Sequence, residues 1–299
     1  QGASESVVGE WLSSRNRRDQ IVLATKVNGT LTRERIVSST EASLKRLQTD
    51  RIDLLQTHVW DDSTPLEETL GPIPDHFARY ELENRYKAVH VAKKIRANWK
   101  ASTEAFMETH HVVGTHPQGL PMTADSNTQY DHPSEFVGRQ ICAHGIQSPH
   151  ITEPLDEQEI FDAFFGSGQH DVDDDSRLIV PEGMTARAFA ADIMRTQLSA
   201  VTGVDYSEAG DAEFTDSLMY NVAPAMSFWG GFYQNTIYRF RPNGLDPESS
   251  IMDIVILRPV PKEGPRPEPV PTMHLDFDEP VTLAGETMGE GLAVVFEQD

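Results

Sequence analysis

The first sixty residues alternate between helical and extended hydrophobic patterns. The segments "SESVVGEWLSSR" (residues 4–15) and "TRERIVSSTEASLKRLQ" (residues 32–48) have the patterns of helices. The short apolar runs "QIVLATKV" (residues 20–27) and "RIDLLQTH" (residues 51–58) favour buried strands. Strands that alternate with helices are typical of βα units, so we expect parallel strands in this part of the chain.

The pattern changes from Gly71 onward, where helices and strands are segregated. Helices are predicted in "NWKASTEAFMETHH" (98–111), "LDEQEIFDAFFG" (155–166) and "TARAFAADIMRTQLSAV" (185–201). Strands are predicted in "YKAVHVAKKIRA" (86–97), "GRQICAHGIQ" (138–147), "SLMYNVAPAMSFWGGFYQNTIYRFRP" (217–242) and "SSIMDIVILRP" (249–259). Strands in runs argue for an α+β domain with an antiparallel sheet. We therefore expect two domains, residues 1–70 and residues 71–299, separated by the proline-interrupted segment "STPLEETLGPIPDHF".

Composition narrows the class of protein. In 299 residues no stretch reaches the ~18 apolar residues of a membrane span, which predicts a globular protein. The N-terminus lacks the basic start and apolar run of a signal peptide, so we expect the cytoplasm. Cys142 is the sole cysteine, which excludes an internal disulfide and any metal or iron–sulfur site built from several thiolates of this chain.

The acidic charge is concentrated in the second part of the chain. The net charge is −22; residues 1–70 carry 9 basic and 11 acidic side chains, which leaves 16 basic and 36 acidic ones, net −20, for the remainder. Such a surface repels phosphate backbones and anionic lipid heads, so nucleic acids and membranes are poor partners. We expect a small substrate that is uncharged or apolar.

The segment "EAFMETHHVVGTH" (residues 104–116) concentrates metal-ligating side chains. On a helix, Glu108 and His111 project from one face, because they are three residues apart. His116 is about 140° further around an ideal helix, so it joins them only if the helix ends or bends after His111. "VVGTHP" favours such a break, and His110 points elsewhere. The alternative interpretation is two polar side chains at a helix end.

Residues 1–70 resemble an aldo-keto reductase. The segments "SESVVGEWL", "IVLATKV", "EASLKRLQTDRIDLLQTH" and "TPLEETL" follow that family's order and spacing. The resemblance implies a fragment of a (β/α)₈ barrel that binds NADPH, with Lys26 and His58 in the positions of the family's lysine and histidine. The family's aspartate and tyrosine have no counterpart in this chain, so we expect no reductase activity.

Residues 71–299 resemble the catalytic domain of Rieske-type ring-hydroxylating oxygenase α subunits. The resemblance is carried by "NWKASTEAFMETHHVVGTHP" and "YQNTIYRFRPNGLDPE". It implies a helix-grip-like domain with a mononuclear non-haem Fe(II), ligated by His111, His116 and Asp299, and with Glu108 as an electron relay. The implied reaction is O₂-dependent hydroxylation of an apolar, aromatic substrate, as in aromatic hydrocarbon catabolism.

The resemblance also implies partners. A Rieske [2Fe–2S] centre needs two cysteines and two histidines, and Cys142 alone does not supply them. We therefore expect no such cluster in this chain and an electron-transfer protein or Rieske domain acting in trans. The resemblance also implies a homotrimer. Without that supply the chain is expected to be inactive. The alternatives are a truncated NADPH-dependent aldo-keto reductase and a non-enzymatic binding shell or chimera joined near residues 64–71.

The aromatic segment "MSFWGGFYQN" offers a candidate wall for a substrate cavity. Met226, Trp229 and Phe232 are its large apolar side chains that would contact a ligand. An aromatic core strand explains the same residues equally well, so both interpretations stay open at this point.

Overall fold

A computed structural model describes residues 2–57, 63, 71–134, 137–166, 178–232 and 235–298. The chain divides into two compact units. The first consists of Gln1–Asp75 with Gly244–Asp246, and the second of His76–Asn243 with Pro247–Asp299. Among the described residues, none of the helices combines the length and the apolar character that a bilayer crossing requires.

The described part of the first unit up to Thr57 contains a parallel strand pair and two α-helices. Its elements are α1 (Ala3–Arg15), β1 (Ala24–Val27), α2 (Arg33–Leu47) and β2 (Leu54–Thr57). β1 and β2 pair in parallel, as the βα pattern predicts. Thr32 begins α2, because its hydroxyl accepts a hydrogen bond from the Arg35 N–H at 3.3 Å. Its small core consists of Leu12, Leu23 and Leu47.

The helix α1 lies very close to the end of α2. A Cβ atom at Gly9 would overlap the backbone carbonyl of Arg46, so only glycine fits there. Glu5 joins the two helices, since its carboxylate accepts a hydrogen bond from Thr25 and pairs with Arg46 at 2.6 Å. Burial raises the pKa of Glu5, but the hydrogen bonds from Thr25, Arg46 and Ser43 outweigh burial and hold it below its usual value.

The second unit is built on one mixed sheet. The described strands are β3 (Arg85–Ile95), β4 (Gln129–Ser134), β5 (Val137–Cys142), β6 (Ser217–Val222), β7 (Met226–Gly230), β8 (Asn235–Asn243), β9 (Asp246–Pro259) and β10 (Met273–Leu275). Their order in the sheet is β10-β3-β9-β8-β7-β6-β5-β4. The pairings β3–β9, β4–β5, β5–β6, β6–β7 and β7–β8 are antiparallel, and β10 pairs in parallel with β3. The predicted α+β class is therefore confirmed.

The described part of the second unit also contains helices. They are α3 (Ile73–Ala78, which begins in the first unit), α4 (Trp99–Ala105), α5 (Val112–Thr115), α6 (Glu157–Gly166), α7 (Ala186–Thr202), α8 (Ala212–Thr215), α9 (Gly285–Met288) and α10 (Glu290–Gln298). The predicted helices over 155–166 and 185–201 are present. The predicted helix over 98–111 was wrong in its extent, because α4 ends at Ala105.

The main core of this unit lies between the sheet and the C-terminal helices. Its members include Val89, Phe240 and Ile254 from the strands and Phe296 from α10. The rings of Phe296 and Tyr238 meet edge to face, with their centres 5.7 Å apart. The helix α10 is thereby packed against the sheet.

A buried carboxylate connects the central strands. Asp253 on β9 is 3% exposed and accepts hydrogen bonds from the guanidinium Nε atoms of Arg241 at 2.8 Å and Arg239 at 3.0 Å. The His90 ring on β3 lies 3.2 Å from the same carboxylate. Burial raises the pKa of Asp253, but these hydrogen bonds prevail and hold it below its usual value.

Candidate functional site

The segment that follows α4 leaves the helical path because of contacts with distant residues. Asn98 begins α4 by accepting a hydrogen bond from the Lys100 N–H at 3.0 Å. Beyond the end of that helix, the Thr109 N–H donates to the Tyr130 hydroxyl at 3.0 Å, and the Thr109 hydroxyl donates to the Asp125 carbonyl at 2.9 Å. These contacts hold residues 106–111 in a turn rather than in a longer helix.

Glu108 and His111 meet within this turn. The Glu108 Oε1 atom lies 2.7 Å from Nδ1 of His111, and Oε2 accepts the backbone N–H groups of His110 and, at 3.1 Å, of His111. Burial raises the pKa of Glu108, but these hydrogen bonds outweigh it and hold the pKa below its usual value. Glu108 is therefore an ionised acceptor that fixes the orientation of the His111 ring.

The short helix α5 brings His116 next to His111. The His116 N–H donates to the Val112 carbonyl at 2.9 Å, and the side chain is only 8% exposed. Nδ1 of His116 lies 3.0 Å from Oε1 of Gln298, which also accepts a hydrogen bond from Gln118 at 2.6 Å. Gln298 was not among the residues expected at the site, because 182 positions separate it from His116.

The two imidazole rings are close enough to share one metal ion. Their centres are 5.3 Å apart, and their planes are inclined by 75°. An imidazole nitrogen binds a transition metal at roughly 2.1 Å, which places the ion about 3.2 Å from the ring centre. Two rings at about 90–120° around one ion therefore have centres roughly 4.5–5.5 Å apart. The observed separation falls within this range.

The tautomers of both rings suit metal binding. The carboxylate oxygen of Glu108 and the amide oxygen of Gln298 only accept hydrogen bonds, so Nδ1 of each ring carries the proton. Nε2 then carries the lone pair that a metal ligand requires. Asp299, the third expected ligand, lies outside the described residues. Within the described residues, no group of three or more His, Cys, Asp or Glu side chains is placed to hold a metal.

A cavity of about 540 Å³ opens beside the two histidines. Glu108, His111 and His116 line it together with a largely apolar wall. The large apolar and aromatic side chains of this wall are Phe106, Val112, Met122, Phe164, Met219, Trp229, Tyr238, Leu292, Val294, Val295 and Phe296. None of the described lining residues is a lysine or an arginine. The cavity therefore suits an apolar ligand and disfavours an anionic one, since Glu108 and Asp162 are among its lining residues.

Strand register determines which aromatic side chains reach this cavity. Trp229 lies opposite Met219, which in turn lies opposite Gln140, and all three residues line the cavity. Met226 and Phe232, proposed with Trp229 from the sequence, are not among the described lining residues. Phe232 instead packs in a separate aromatic group, with its ring 5.2 Å from Phe214. Met226 and Trp229 are three apart in β7, so their side chains point to opposite faces of the sheet, and Phe232 lies beyond the end of that strand.

The fold and the site together define the class of protein. The second unit is an α+β domain that places two neighbouring histidines on the wall of an apolar cavity. The family model described as ring hydroxylating alpha subunit (catalytic domain) matches residues 76–278, and the chain belongs to that family.

The first unit has a different likeness. The model of the aldo/keto reductase family matches residues 1–79. Norsolorinic acid reductase B from Dothistroma septosporum is 42% identical over 89 residues, which cover 25% of this chain and 23% of that protein. Aldo-keto reductase YhdN from Bacillus subtilis is 48% identical over 77 residues, which cover 23% of each chain. The chain thus spans about a quarter of the length of these curated relatives.

Among solved structures, the quaternary ammonium Rieske monooxygenase CntA is similar with a TM-score of 0.40 and 11% identity. The similarity covers 79% of this chain and 44% of that one.

Two residues of the first unit match reductase positions in the sequence. Lys26 is exposed on β1, and His58 lies outside the described residues.

Proposed function

We propose that the second unit binds Fe(II) through His111, His116 and Asp299 and hydroxylates an apolar, aromatic substrate with O₂. The single observation that carries this proposal is the pair of imidazole rings, 5.3 Å apart, on the wall of the apolar cavity. Two histidines and one carboxylate on one face of Fe(II) leave the opposite positions open. Iron bound in this way supplies the chemistry of O₂ activation.

The residues of the chain hold the site in a fixed arrangement. Glu108 and Gln298 each accept the Nδ1 proton of one histidine, which keeps both rings in the tautomer that ligates through Nε2. The apolar wall excludes water from the ligand, and Phe106 and Trp229 offer it aromatic surface. The large negative charge of this part of the chain disfavours an anionic substrate.

Electrons are supplied to this site from outside the chain. Glu108 is the entry point in this proposal, because its side chain is 35% exposed and contacts His111 directly. The donor in this proposal is an electron-transfer protein or a Rieske domain on a different polypeptide, and the chain itself assembles as a homotrimer. The sole cysteine, Cys142, is buried and cannot form a [2Fe–2S] cluster with this chain alone.

Iron analysis of the full chain tests the metal site. After anaerobic reconstitution with Fe(II) and desalting, the wild-type protein should retain about one iron per chain, and His111→Ala should retain almost none. The matched control is His110→Ala, since His110 is exposed and is not among the lining residues. Metal-free wild-type protein, or equal iron loss in both variants, would contradict the proposal.

A truncated NADPH-dependent aldo-keto reductase is the second candidate, supported by the family match of residues 1–79. It differs from the first proposal in requiring a bound nicotinamide. Titration of the full chain with NADPH, followed by nicotinamide fluorescence, separates the two. Tight saturable binding would favour the reductase fragment, and no saturation is expected if the chain acts only as an oxygenase domain.

A further inference from the structure

One part of the cavity wall is polar and lies outside the proposed iron site. His144 follows β5 and lines the cavity together with Cys142, Ser217 and Thr123. Cys142 and Ser217 lie opposite each other in the register of β5 and β6, and Thr123 forms a β-bridge with His144. These four residues, the His144 wall, offer only hydrogen-bonding groups that carry no charge in their ordinary states.

The backbone of His144 is held on both sides by one ion pair. Asp216 accepts the His144 N–H at 3.2 Å, and Arg187 Nη1 donates to the His144 carbonyl at 2.8 Å. Arg187 and Asp216 pair with each other, with Nη2 and Oδ2 2.9 Å apart. The next residue, Gly145, has a φ of +71° and packs against α7 so closely that a Cβ would lie 2.9 Å from the Arg187 Cα. The position of His144 is therefore fixed.

The imidazole of His144 is available to a ligand. Within the described parts of the chain, no group hydrogen-bonds to its ring nitrogens, and both nitrogens keep accessible surface. Its nearest described ring neighbour, Phe164, offers an aromatic edge with centres 6.4 Å apart. The ring is half-buried and lines the cavity, so its hydrogen-bonding capacity is available to a bound ligand.

Both members of the wall that titrate are neutral at physiological pH. Burial lowers the pKa of His144 to about 4, although the Asp216 carboxylate opposes the shift. Burial likewise raises the pKa of the Cys142 thiol to about 11. A neutral imidazole presents one N–H donor and one acceptor. Asp162 also lines the cavity, so an anionic substituent would be repelled here.

We propose that His144 is a specificity-determining residue that hydrogen-bonds a hydroxyl substituent of an aromatic substrate. A hydroxyl both donates and accepts, as the neutral imidazole does, and it carries no charge to oppose the acidic surroundings. This inference rests on the proposed function, because it assigns the substrate to the same cavity. It selects a hydroxylated arene over an unsubstituted arene or an aromatic carboxylate.

Binding of two probes to the full chain tests the inference. Equilibrium dialysis with 2-naphthol and naphthalene compares the wild type with His144→Phe, which keeps a ring but removes the hydrogen bond. His144→Phe should weaken 2-naphthol binding about tenfold and change naphthalene binding less than twofold. His144→Gln should recover most of the loss, because its amide both donates and accepts. His150→Phe is the matched control, since His150 is exposed and is not among the lining residues.

The possible failures are distinguishable. If His144→Phe weakens the binding of both probes equally, or leaves 2-naphthol binding unchanged, the proposed role of His144 is overturned. The proposed metal site still stands in that case, provided that the variant retains as much iron as the wild type. Failure of the wild type to bind either probe would overturn the inference and count against the proposed substrate class as well. A carboxylated probe, 2-naphthoate, that binds more tightly than 2-naphthol would also overturn the inference.

Discussion

The two units of this chain differ in the size of their hydrophobic cores. The first unit pairs β1 with β2 and buries a core of Leu12, Leu23 and Leu47. The second unit has a much larger core on an eight-stranded sheet and contains the whole lining of the cavity. The identity to reductases of 42–48% belongs to the first unit, whereas the cavity is lined by residues of the second unit. Similarity to a relative over a short segment says little about the function of the rest of the chain.

The largest expected effect comes from breaking each core separately. Phe240→Ala should lower the free energy of unfolding of the second unit by about 3–5 kcal/mol. Phe240 is 2% exposed, and its ring packs against Phe106 with the ring centres 5.2 Å apart. Leu47→Ala should destabilise the first unit by about 2–5 kcal/mol. Amide hydrogen exchange by mass spectrometry should show lost protection only in the mutated unit. Loss in both units from either variant would contradict separate cores.

A smaller effect should follow from removing the buried charge of the second unit. Asp253→Asn should lower the free energy of unfolding by about 2 kcal/mol at pH 7, because the neutral amide weakens the hydrogen bonds from Arg239 and Arg241, whose side chains are 53% and 37% exposed and are partly solvated. The matched control, Asp278→Asn, removes a 90% exposed partner of Arg96 and should cost less than about 1 kcal/mol. Urea denaturation of the variants measures both.

The same comparison predicts a pH dependence. Since the folded pKa of Asp253 lies below its usual value of 3.8, its stabilising contribution is full above that value. The contribution is lost as the pH falls through the folded pKa. The stability difference between wild type and Asp253→Asn should therefore narrow as the pH is lowered from 5 to 3. A constant difference over this range would count against the ion-pair account.

The smallest effect concerns the support of the proposed metal ligands. Gln298→Ala should weaken iron affinity by about tenfold, because His116 loses the acceptor of its Nδ1 proton. Gln118→Ala is the control, since Gln118 donates a hydrogen bond to Oε1 of Gln298, the atom that also contacts His116, but is not itself the hydrogen-bond partner of His116 in this contact. Competition with a chelator gives both affinities. Equal losses of iron affinity in the two variants would mean that the hydrogen bond between Gln118 and Gln298, rather than the contact of Gln298 with His116, supports iron binding.

The hydrophobic pattern predicted much of the fold because the strands and long helices have strong periodicity. The alternation in residues 1–58 gave the β1–α2–β2 order, and the apolar runs after residue 217 gave β6 to β9. The end of α4 at Ala105 could not be predicted, because Thr109 is held by Tyr130 and Asp125 rather than by local preferences. Tertiary contacts overrode helix propensity there.

The site was predictable only where its residues are neighbours in sequence. The spacing of Glu108, His111 and His116 pointed to a shared location, and in the structure the three side chains line one cavity. Gln298 and His144 carried no such signal. Their roles depend on α10 and on the Arg187–Asp216 ion pair, which are distant in sequence from residues 108–116. Asp299 stays a prediction.

The helix α10 leaves no room for an insertion or a deletion between two of its contacts. Phe296 packs into the core, and two positions later Gln298 contacts His116. One inserted or deleted residue between them would rotate Gln298 by about 100° around the helix axis and move it about 1.5 Å along that axis. Relatives that keep the contact between the residues at positions 116 and 298 should therefore differ in residue type along α10 but show no insertion or deletion within it.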